Sequence, residues 1–441
     1  MVELNKTKII ATIGPRTKSK EVLKELILKG ADVLRINSAH SNDEEIIEIS
    51  NKLKDLNEEL GTYVSLLIDT FGDKQRLKTD GSTYDLQNNS ILIINHSVIS
   101  PGEITIPLNV FSNIKIGDTI LLDNGKILLE ALFKAGDKIT TKVISGGILH
   151  NNTGFKLKGY SLCSNDLSVS DKNLIKVINY TKTKYIGLSF ASERKDIENF
   201  RKCLNKDTKI IAKIENKEGL KNIDNFIDII DGIMIARGDL ASEVSFINLP
   251  IIQKKLIEKA KLNNKIVIVA TEALKSMENN KYPTRAELTD VVNSVFDGAD
   301  ALMLSEETSV GKYPIDVINF MRKLALTAEE NHDYMKKVNI NKTKLSDYLV
   351  QLSYDASFFN DIKLILCNDP LIIKALSNLR PDKYICTFVK DKKEAENYNL
   401  LYAVIPIVSY PNKEELIKTF KLKQGDLYLV INDSSVATYK L

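Results

Sequence analysis

Short runs of apolar and β-branched residues recur along the chain, separated by amphipathic, charge-rich stretches. Such runs, bounded by turn signals, predict buried strands, while apolar residues three and four apart predict helices. The first predicted strand is Lys8–Ile13 (KIIATI), closed by Gly14-Pro15, and Ser19–Lys29 then has helical spacing. The second is Asp32–Ile36 (DVLRI), followed by a helix whose start is signalled by Ser41-Asn42-Asp43-Glu44. The third, Tyr63–Ile68 (YVSLLI), ends at Asp69.

There the alternation stops. From about Lys74 to Cys163 short strands alternate with turn signals (Gly81-Ser82, Asp123-Asn124-Gly125, Gly146-Gly147), and no helix is predicted. This stretch reads as a small inserted β domain. The alternation resumes with Tyr185–Ser189, Lys209–Ile214, Gly232–Ile235, Lys265–Ala270 and Ala301–Leu304, each followed by a helical stretch, the last running from about Tyr313 to Glu330. Eight strand–helix units in sequence predict an α/β fold built on a closed parallel (β/α)8 barrel. An open doubly wound sheet is the alternative. No GxGxxG follows the first strand and no Walker phosphate loop occurs, which counts against it.

Beyond roughly residue 338, strands at Lys363–Leu366, Tyr384–Phe388, Ala403–Val408 and Leu427–Ile431, with short helices between, predict a separate α/β domain. The expected division gives residues 1–73 and 164–338 to the barrel, 74–163 to the insertion and 339–441 to a shortened C-terminal domain.

Composition narrows the class of molecule. A net charge of +3 over 441 residues gives no reason to expect a nucleic-acid or membrane partner. Cys163, Cys203, Cys367 and Cys386 are scattered with no CxxC pair, so neither a disulfide framework nor a zinc cluster is expected, and a reducing cytosol fits. The N-terminal MVELNKTKIIATIGPR lacks the apolar run of a signal peptide, and no later stretch reads as a membrane span. A soluble cytoplasmic protein is the expectation.

In a (β/α)8 barrel the loops after the strands converge on one mouth, where active sites gather. The ends of six predicted strands are polar there: Arg35, Asn37 and His40 after the second, Asp69 and Thr70 after the third, and Lys213 and Glu215 at the fifth. Arg237, Gly238 and Asp239 follow the sixth, Thr271 the seventh, and Ser305, Glu306, Glu307 and Thr308 the eighth. A single such residue is more often solvated surface, and a lone loop histidine such as His40 is more often incidental. Six strands agreeing is not explained by surface decoration.

Glu215 and Asp239 are hard oxygen donors suited to Mg²⁺ or Mn²⁺. Lys213 stands two residues before Glu215, so both side chains project from one face of the strand. An ammonium beside a divalent metal is what a phosphoryl or enolate oxygen needs as charge develops; the bland reading of the pair is a structural ion pair inside the barrel. Gly238 permits close backbone approach to a ligand, and Arg35 and Arg76 can hold phosphate oxygens bidentately.

These residues lie in motifs that resemble the pyruvate kinase family: TKIIATIGP (7–15), LRINSAH (34–40), IAKIENKEGLKN (211–222), DGIMIARGDL (231–240), VATEALKSM (269–277), PTRAELTDVVN (283–293) and DGADALMLSEETSVGKYP (297–314). DNGKI (123–127) and LKGYSL (157–162) are similar to that family's lid, and the resemblance spans essentially the whole chain. It implies a TIM barrel with a small β-barrel lid, acting on phosphoenolpyruvate and ADP in glycolysis. Lys213 would stabilise the transferring phosphoryl group and the enolate, Arg35 would contact that phosphate, and Glu215 and Asp239 would bind the divalent metal. Gly238, Asp239 and Thr271 would hold the substrate carboxylate, and Thr271 would orient the water that protonates the enolpyruvate. Ser305 and Glu307 would complete the substrate site, and Asn37, His40, Arg76 and, from the lid, Lys158 would serve the nucleotide. A homotetramer is the implied assembly.

Departures from the family pattern sharpen this reading. The family's K⁺ is held by an asparagine, a serine hydroxyl, an aspartate and a threonine carbonyl; here Asn37, Asp69 and Thr70 remain but Ala39 replaces the serine. The usual DTKGPEIR reads DTFGDKQR, which puts Lys74 at the glutamate position. A ligand is lost and a fixed charge gained, so K⁺-independent activity is expected, with the Lys74 ammonium in the ion's place. Glu272-Ala273 stand where Gln-Met is usual, and Glu306 replaces a glycine, adding carboxylates near an anion site. CNDPLIIKAL (367–376) lacks the Ser/Thr-rich loop that binds sugar phosphates, so no fructose-bisphosphate activation is expected. Two other functions compete: a barrel lyase or aldolase working through pyruvate enolates, and a catalytically impaired paralogue serving as a metabolite-binding or regulatory protein.

Overall fold

The computed structural model describes residues 4–70, 72, 76–97, 99–157, 167, 169–332, 344–408, 413–432 and 434–441. Eight strands form a closed, all-parallel barrel: β1 (Lys8–Thr12), β2 (Val33–Asn37), β3 (Ser65–Asp69), β4 (Tyr185–Leu188), β5 (Lys209–Ile214), β6 (Gly232–Ala236), β7 (Ile266–Ala270) and β8 (Ala301–Leu304). Each strand pairs with its neighbours in sequence order, and β8 pairs with β1 to close the ring.

The period-2 alternation of the strands decides what faces where. One set of positions, including Ile9, Ala11, Leu34, Ile36, Ile210, Ala212, Ile233 and Ile235, packs outward against helix residues such as Leu23, Leu26 and Ile27. The other set, including Ile10, Val33, Leu67, Tyr185, Ile211, Met234 and Met303, fills the interior. One more step along this inward register leads from Ile10 to Thr12, Val33 to Arg35, Leu67 to Asp69, Ile211 to Lys213 and Met303 to Ser305. The apolar column of the core thus ends in a polar layer at the mouth.

Local signals explain the helices between the strands. Asn42 caps helix Asp43–Leu60 by accepting from the Glu45 amide at 2.8 Å, and Gly61, with φ +66°, ends it in the left-handed conformation that glycine adopts readily. Helix Arg285–Asp297 opens with a reciprocal capping box between Thr284 and Glu287.

The insertion between β3 and β4 has its own apolar core. Its six-stranded sheet runs in the order Phe155–Leu157, Thr119–Leu122, Ile127–Ala135, Lys138–Ser145, Ile91–Asn95, Glu103–Thr105. Arg76 bridges Gly154 at one edge and Lys78 bridges Thr105 at the other, so residues 76–78 draw the two edges together. Contrary to the expectation of no helix, Leu108–Phe111 forms a single helical turn. Its signal is one Pro107-led turn, too short for a 3.6-residue period to register.

The C-terminal region forms a five-stranded sheet from β9 (Ile362–Cys367), β10 (Tyr384–Val389), β11 (Val404–Val408), β12 (Leu427–Asn432) and β13 (Ser435–Lys440), in the order β11-β10-β9-β12-β13. The antiparallel edge strand β13 is not among the sequence expectations. Its pattern alternates weakly, and most of its residues are exposed or half-buried, so no apolar run marks it. No helix among the described residues is long and apolar enough to cross a membrane.

Candidate active site

The mouth of the barrel holds a buried network of charges. The Lys213 ammonium lies 3.0 Å from Asp69 Oδ2 and 2.9 Å from Glu215 Oε1, and donates to Ser189 Oγ at 3.1 Å. Arg35 donates to the same Asp69 oxygen from Nε at 3.1 Å and from Nη2 at 2.6 Å, while its Nη1 reaches Thr12 Oγ1 at 3.0 Å. The Thr12 hydroxyl in turn donates to the Leu304 carbonyl at 2.7 Å, which ties β1, β2, β3 and β8 together.

Burial opposes charge on Lys213, but Asp69 and Glu215 outweigh it and raise the ammonium's pKa well above the ordinary lysine value. Lys213 therefore stays cationic throughout the neutral range. Burial likewise opposes ionisation of Asp69, and Arg35 and Lys213 reverse that and hold its carboxyl below the usual range. Asp69 Oδ1 is fully buried, with no hydrogen-bond partner among the described residues.

Gly187 makes room for this network. A Cβ there would stand 2.2 Å from Asp69 Oδ1 and 3.3 Å from Lys213 Cδ. Gly187→Ala is therefore expected to displace both side chains and to lower activity at least about tenfold, one lost charge-assisted contact's worth, in a steady-state assay; unchanged kinetics would show that the site tolerates the shift.

Glu215 is fixed at both ends, because its Oε2 accepts from the Phe190 amide at 2.8 Å. Asp239 lies in the first turn of helix Arg237–Glu243 and adds to the field that favours the charged form of Lys213. Between the helix and β7, Gly238 N donates to Thr271 Oγ1 at 2.9 Å, and Thr271 Oγ1 donates to the Ala270 carbonyl at 2.6 Å. Thr271 and Glu272 both have positive φ, +66° and +54°, a conformation unfavourable for residues bearing a Cβ. The buried Arg237 holds the turn by donating to the Thr271 carbonyl at 3.1 and 2.8 Å, and is itself anchored 2.5 Å from Asp290.

At the end of β8, Glu307 accepts from the Ser305 and Leu274 amides at 2.7 and 3.2 Å; burial pushes its carboxyl up. Ser305 Oγ is buried, with no hydrogen-bond partner among the described residues.

A family model described as the pyruvate kinase barrel domain matches residues 4–318. The chain belongs to the pyruvate kinase family. A protein named pyruvate kinase from Thermotoga maritima is 33% identical over 426 residues, covering 94% of this chain and 91% of its own. One from Thermococcus litoralis is 35% identical over 428 residues (93% and 90%), and one from Buchnera aphidicola 34% over 441 residues (97% and 89%). The family is one of phosphotransferases that generally use a divalent metal.

The remaining positions singled out in the sequence fall in several places. Asn37 accepts from the Ala39 amide at 3.2 Å and caps the short turn that carries the exposed His40. Thr70 is buried against Ser189, its hydroxyl accepting from the Ser189 amide at 3.0 Å and its carbonyl from the Ser189 hydroxyl at 2.9 Å. Arg76 is engaged within the insertion, donating to the Asn152 carbonyl at 2.9 Å. Lys74 and Lys158 lie outside the described residues. Of the extra carboxylates, Glu306 is exposed, and the Glu272 side chain is half exposed, 4.0 Å from Lys275.

Sequence reasoning missed Ser189 and Thr12, and named Asp69 only as a cation ligand rather than the hub of the network. The rule that found the other strand ends, applied to β1 and β4 as well, leads directly to Thr12 and Ser189.

Proposed function

We propose that this protein transfers the phosphoryl group of phosphoenolpyruvate to ADP, giving pyruvate and ATP. The carrying observation is the Lys213 ammonium, buried at the mouth with its charge secured by Asp69 and Glu215 and directed by Ser189. An ammonium fixed there meets negative charge on the transferring phosphoryl oxygens and on the enolate oxygen left when the P–O bond breaks. Arg35, steered by Asp69 and Thr12, contacts the same phosphate.

Glu215 and Asp239 supply two hard carboxylates at the mouth, an open donor set that suits a metal keeping waters and accepting substrate oxygens. Mg²⁺ or Mn²⁺ bound by them supplies Lewis-acid polarisation of the phosphoryl and enolate oxygens. The Asp239 amide, with the Gly238 amide and the Thr271 hydroxyl released from their bonds to Thr271 Oγ1 and the Ala270 carbonyl, holds the carboxylate, and Ser305 and Glu307 stand at the end of the neighbouring strand β8. Thr271 then orients the water that delivers a proton to the methylene carbon of enolpyruvate.

Residues 1–73 and 164–338 act as the catalytic barrel, 74–163 as the lid and 339–441 as the C-terminal domain. The lid's Asp123–Gly125 turn lies against helix Arg237–Glu243, Gly125 being 3.7 Å, measured from an added Cβ, from Ser242 Cβ. Closure over the nucleotide held by Asn37, His40, Arg76 and Lys158 excludes water, the competing phosphoryl acceptor. The intact Lys213, Glu215, Asp239 and Thr271 favour this active reading over that of an impaired paralogue. The molecule works in glycolysis in the cytoplasm as a homotetramer.

A coupled assay with phosphoenolpyruvate, ADP and Mg²⁺ tests the reaction: pyruvate and ATP production is expected, and none would leave the lyase or aldolase and the binding-protein readings. We further infer that K⁺ is dispensable, supported by Ala39 at the lost ligand position and by Lys74 at the usual glutamate position. Rates in tetramethylammonium buffer are expected to match those in K⁺, and Lys74→Glu to introduce K⁺ dependence; a strict K⁺ requirement in the wild type would refute this.

A further inference from the structure

The floor of the barrel rests on the C-terminal region through polar contacts. The Tyr185 hydroxyl donates to the Glu396 carbonyl at 2.9 Å, and the Lys209 ammonium to the Asn397 carbonyl at 2.7 Å. Beside this seam lies a cavity of about 270 Å³. Four lysines line it, Lys182, Lys184, Lys206 and Lys393, against two carboxylates, Asp207 and Glu396.

Lys184 sets this cavity apart from a solvated basic patch. It is 4% exposed, and among the described residues its ammonium has no hydrogen-bond or ion-pair partner. Its stem is buried and its ammonium opens onto the cavity wall, where a cation without a partner favours an opposite charge beside it. Neither carboxylate supplies that charge fully. Asp207 is taken by Lys393 at 2.9 Å, and Glu396, pushed up to about 7 by burial, is only partly ionised near neutral pH. Burial lowers the Lys184 ammonium's pKa against the pull of Asp207 and Glu396, as expected of a cation short of counter-charge.

We propose that this cavity binds a phosphate dianion, free or carried by a small phosphorylated metabolite, with the Lys184 ammonium as its principal partner and Lys182 and Lys206 at its rim. The site is remote from the barrel mouth, and its occupant is independent of the reaction proposed above. Its placement still matters to that mouth. Lys184 immediately precedes β4, which delivers Ser189, and Thr208 of the cavity precedes β5, which delivers Lys213. An anion here would brace the lower ends of the two strands that present those groups.

Calorimetric titration of the Lys213→Met protein tests this without any activity readout, and two further substitutions separate binding in this cavity from any binding that persists at the barrel mouth. Inorganic phosphate and glycerol 3-phosphate serve as separate probes. Saturable one-to-one binding of either is expected, and the better probe identifies the source of the phosphate. Adding Lys184→Met is expected to weaken it at least about tenfold, the worth of one charge-assisted contact. Adding the exposed Lys206→Gln, which spares the fold, is expected to weaken it less. Absence of saturable binding to either probe, or binding unchanged by both substitutions, would overturn the proposal.

Discussion

Lys213→Met is expected to lower kcat for phosphoryl transfer by roughly 10²–10³-fold or more, the typical cost of removing one preorganised charge-stabilising donor. The substitution keeps most of the side chain's length and removes the ammonium that touches Asp69, Glu215 and Ser189 together. Arg35 still grips Asp69 through two hydrogen bonds, and Glu215 still accepts from the Phe190 amide, so the scaffold of the mouth survives. Steady-state kinetics should therefore show the loss in kcat with a smaller change in KM for phosphoenolpyruvate. A variant within a few fold of the wild type would mean that Lys213 is a structural ion pair, the bland reading its sequence position allowed.

The second large effect is on stability. Asp69 is fully buried and neutralises two cations, at 2.6 Å from Arg35 and 3.0 Å from Lys213. Asp69→Asn leaves both cations buried, Lys213 with Glu215 still beside it, and breaking such a buried network by one partner costs about 3–5 kcal/mol. Denaturant unfolding should show a lower midpoint, and activity should fall with it. The pH dependence carries a definite sign. The folded-state pKa of Asp69 is depressed, so its stabilisation is fully present above the unfolded aspartate value of about 3.9. It is lost as pH falls through the lower folded value. The wild type should lose its advantage over Asp69→Asn on acidification below about pH 4, and an advantage independent of pH there would contradict the ion-pair account.

The barrel was legible because its strands are short apolar runs separated by amphipathic helices, and because strand alternation fixes which residues face the mouth. Ile211, Lys213 and Glu215 illustrate this: position two residues apart on β5 was enough to place a lysine and a carboxylate side by side, and they lie 2.9 Å apart. What the sequence could not reveal is pairing between distant strands. That Lys213 chooses Asp69 from β3 and Ser189 from beyond β4 follows from barrel closure and from the missing Cβ of Gly187, which no local pattern encodes. The left-handed turn at Thr271-Glu272 was hidden for a related reason. Neither residue type favours positive φ, and the conformation is held by Arg237, 34 positions away. Edge strand β13 escaped because an exposed edge needs no apolar run.

The most direct test of the proposed reaction is ³¹P NMR of the purified protein with phosphoenolpyruvate, ADP and Mg²⁺, which follows the phosphoryl group itself. The phosphoenolpyruvate resonance should decay as the γ-phosphate resonance of ATP grows in equal amount, and Lys213→Met should all but abolish the exchange. Persistence of phosphoenolpyruvate, or its conversion to inorganic phosphate with ADP untouched, would contradict the account.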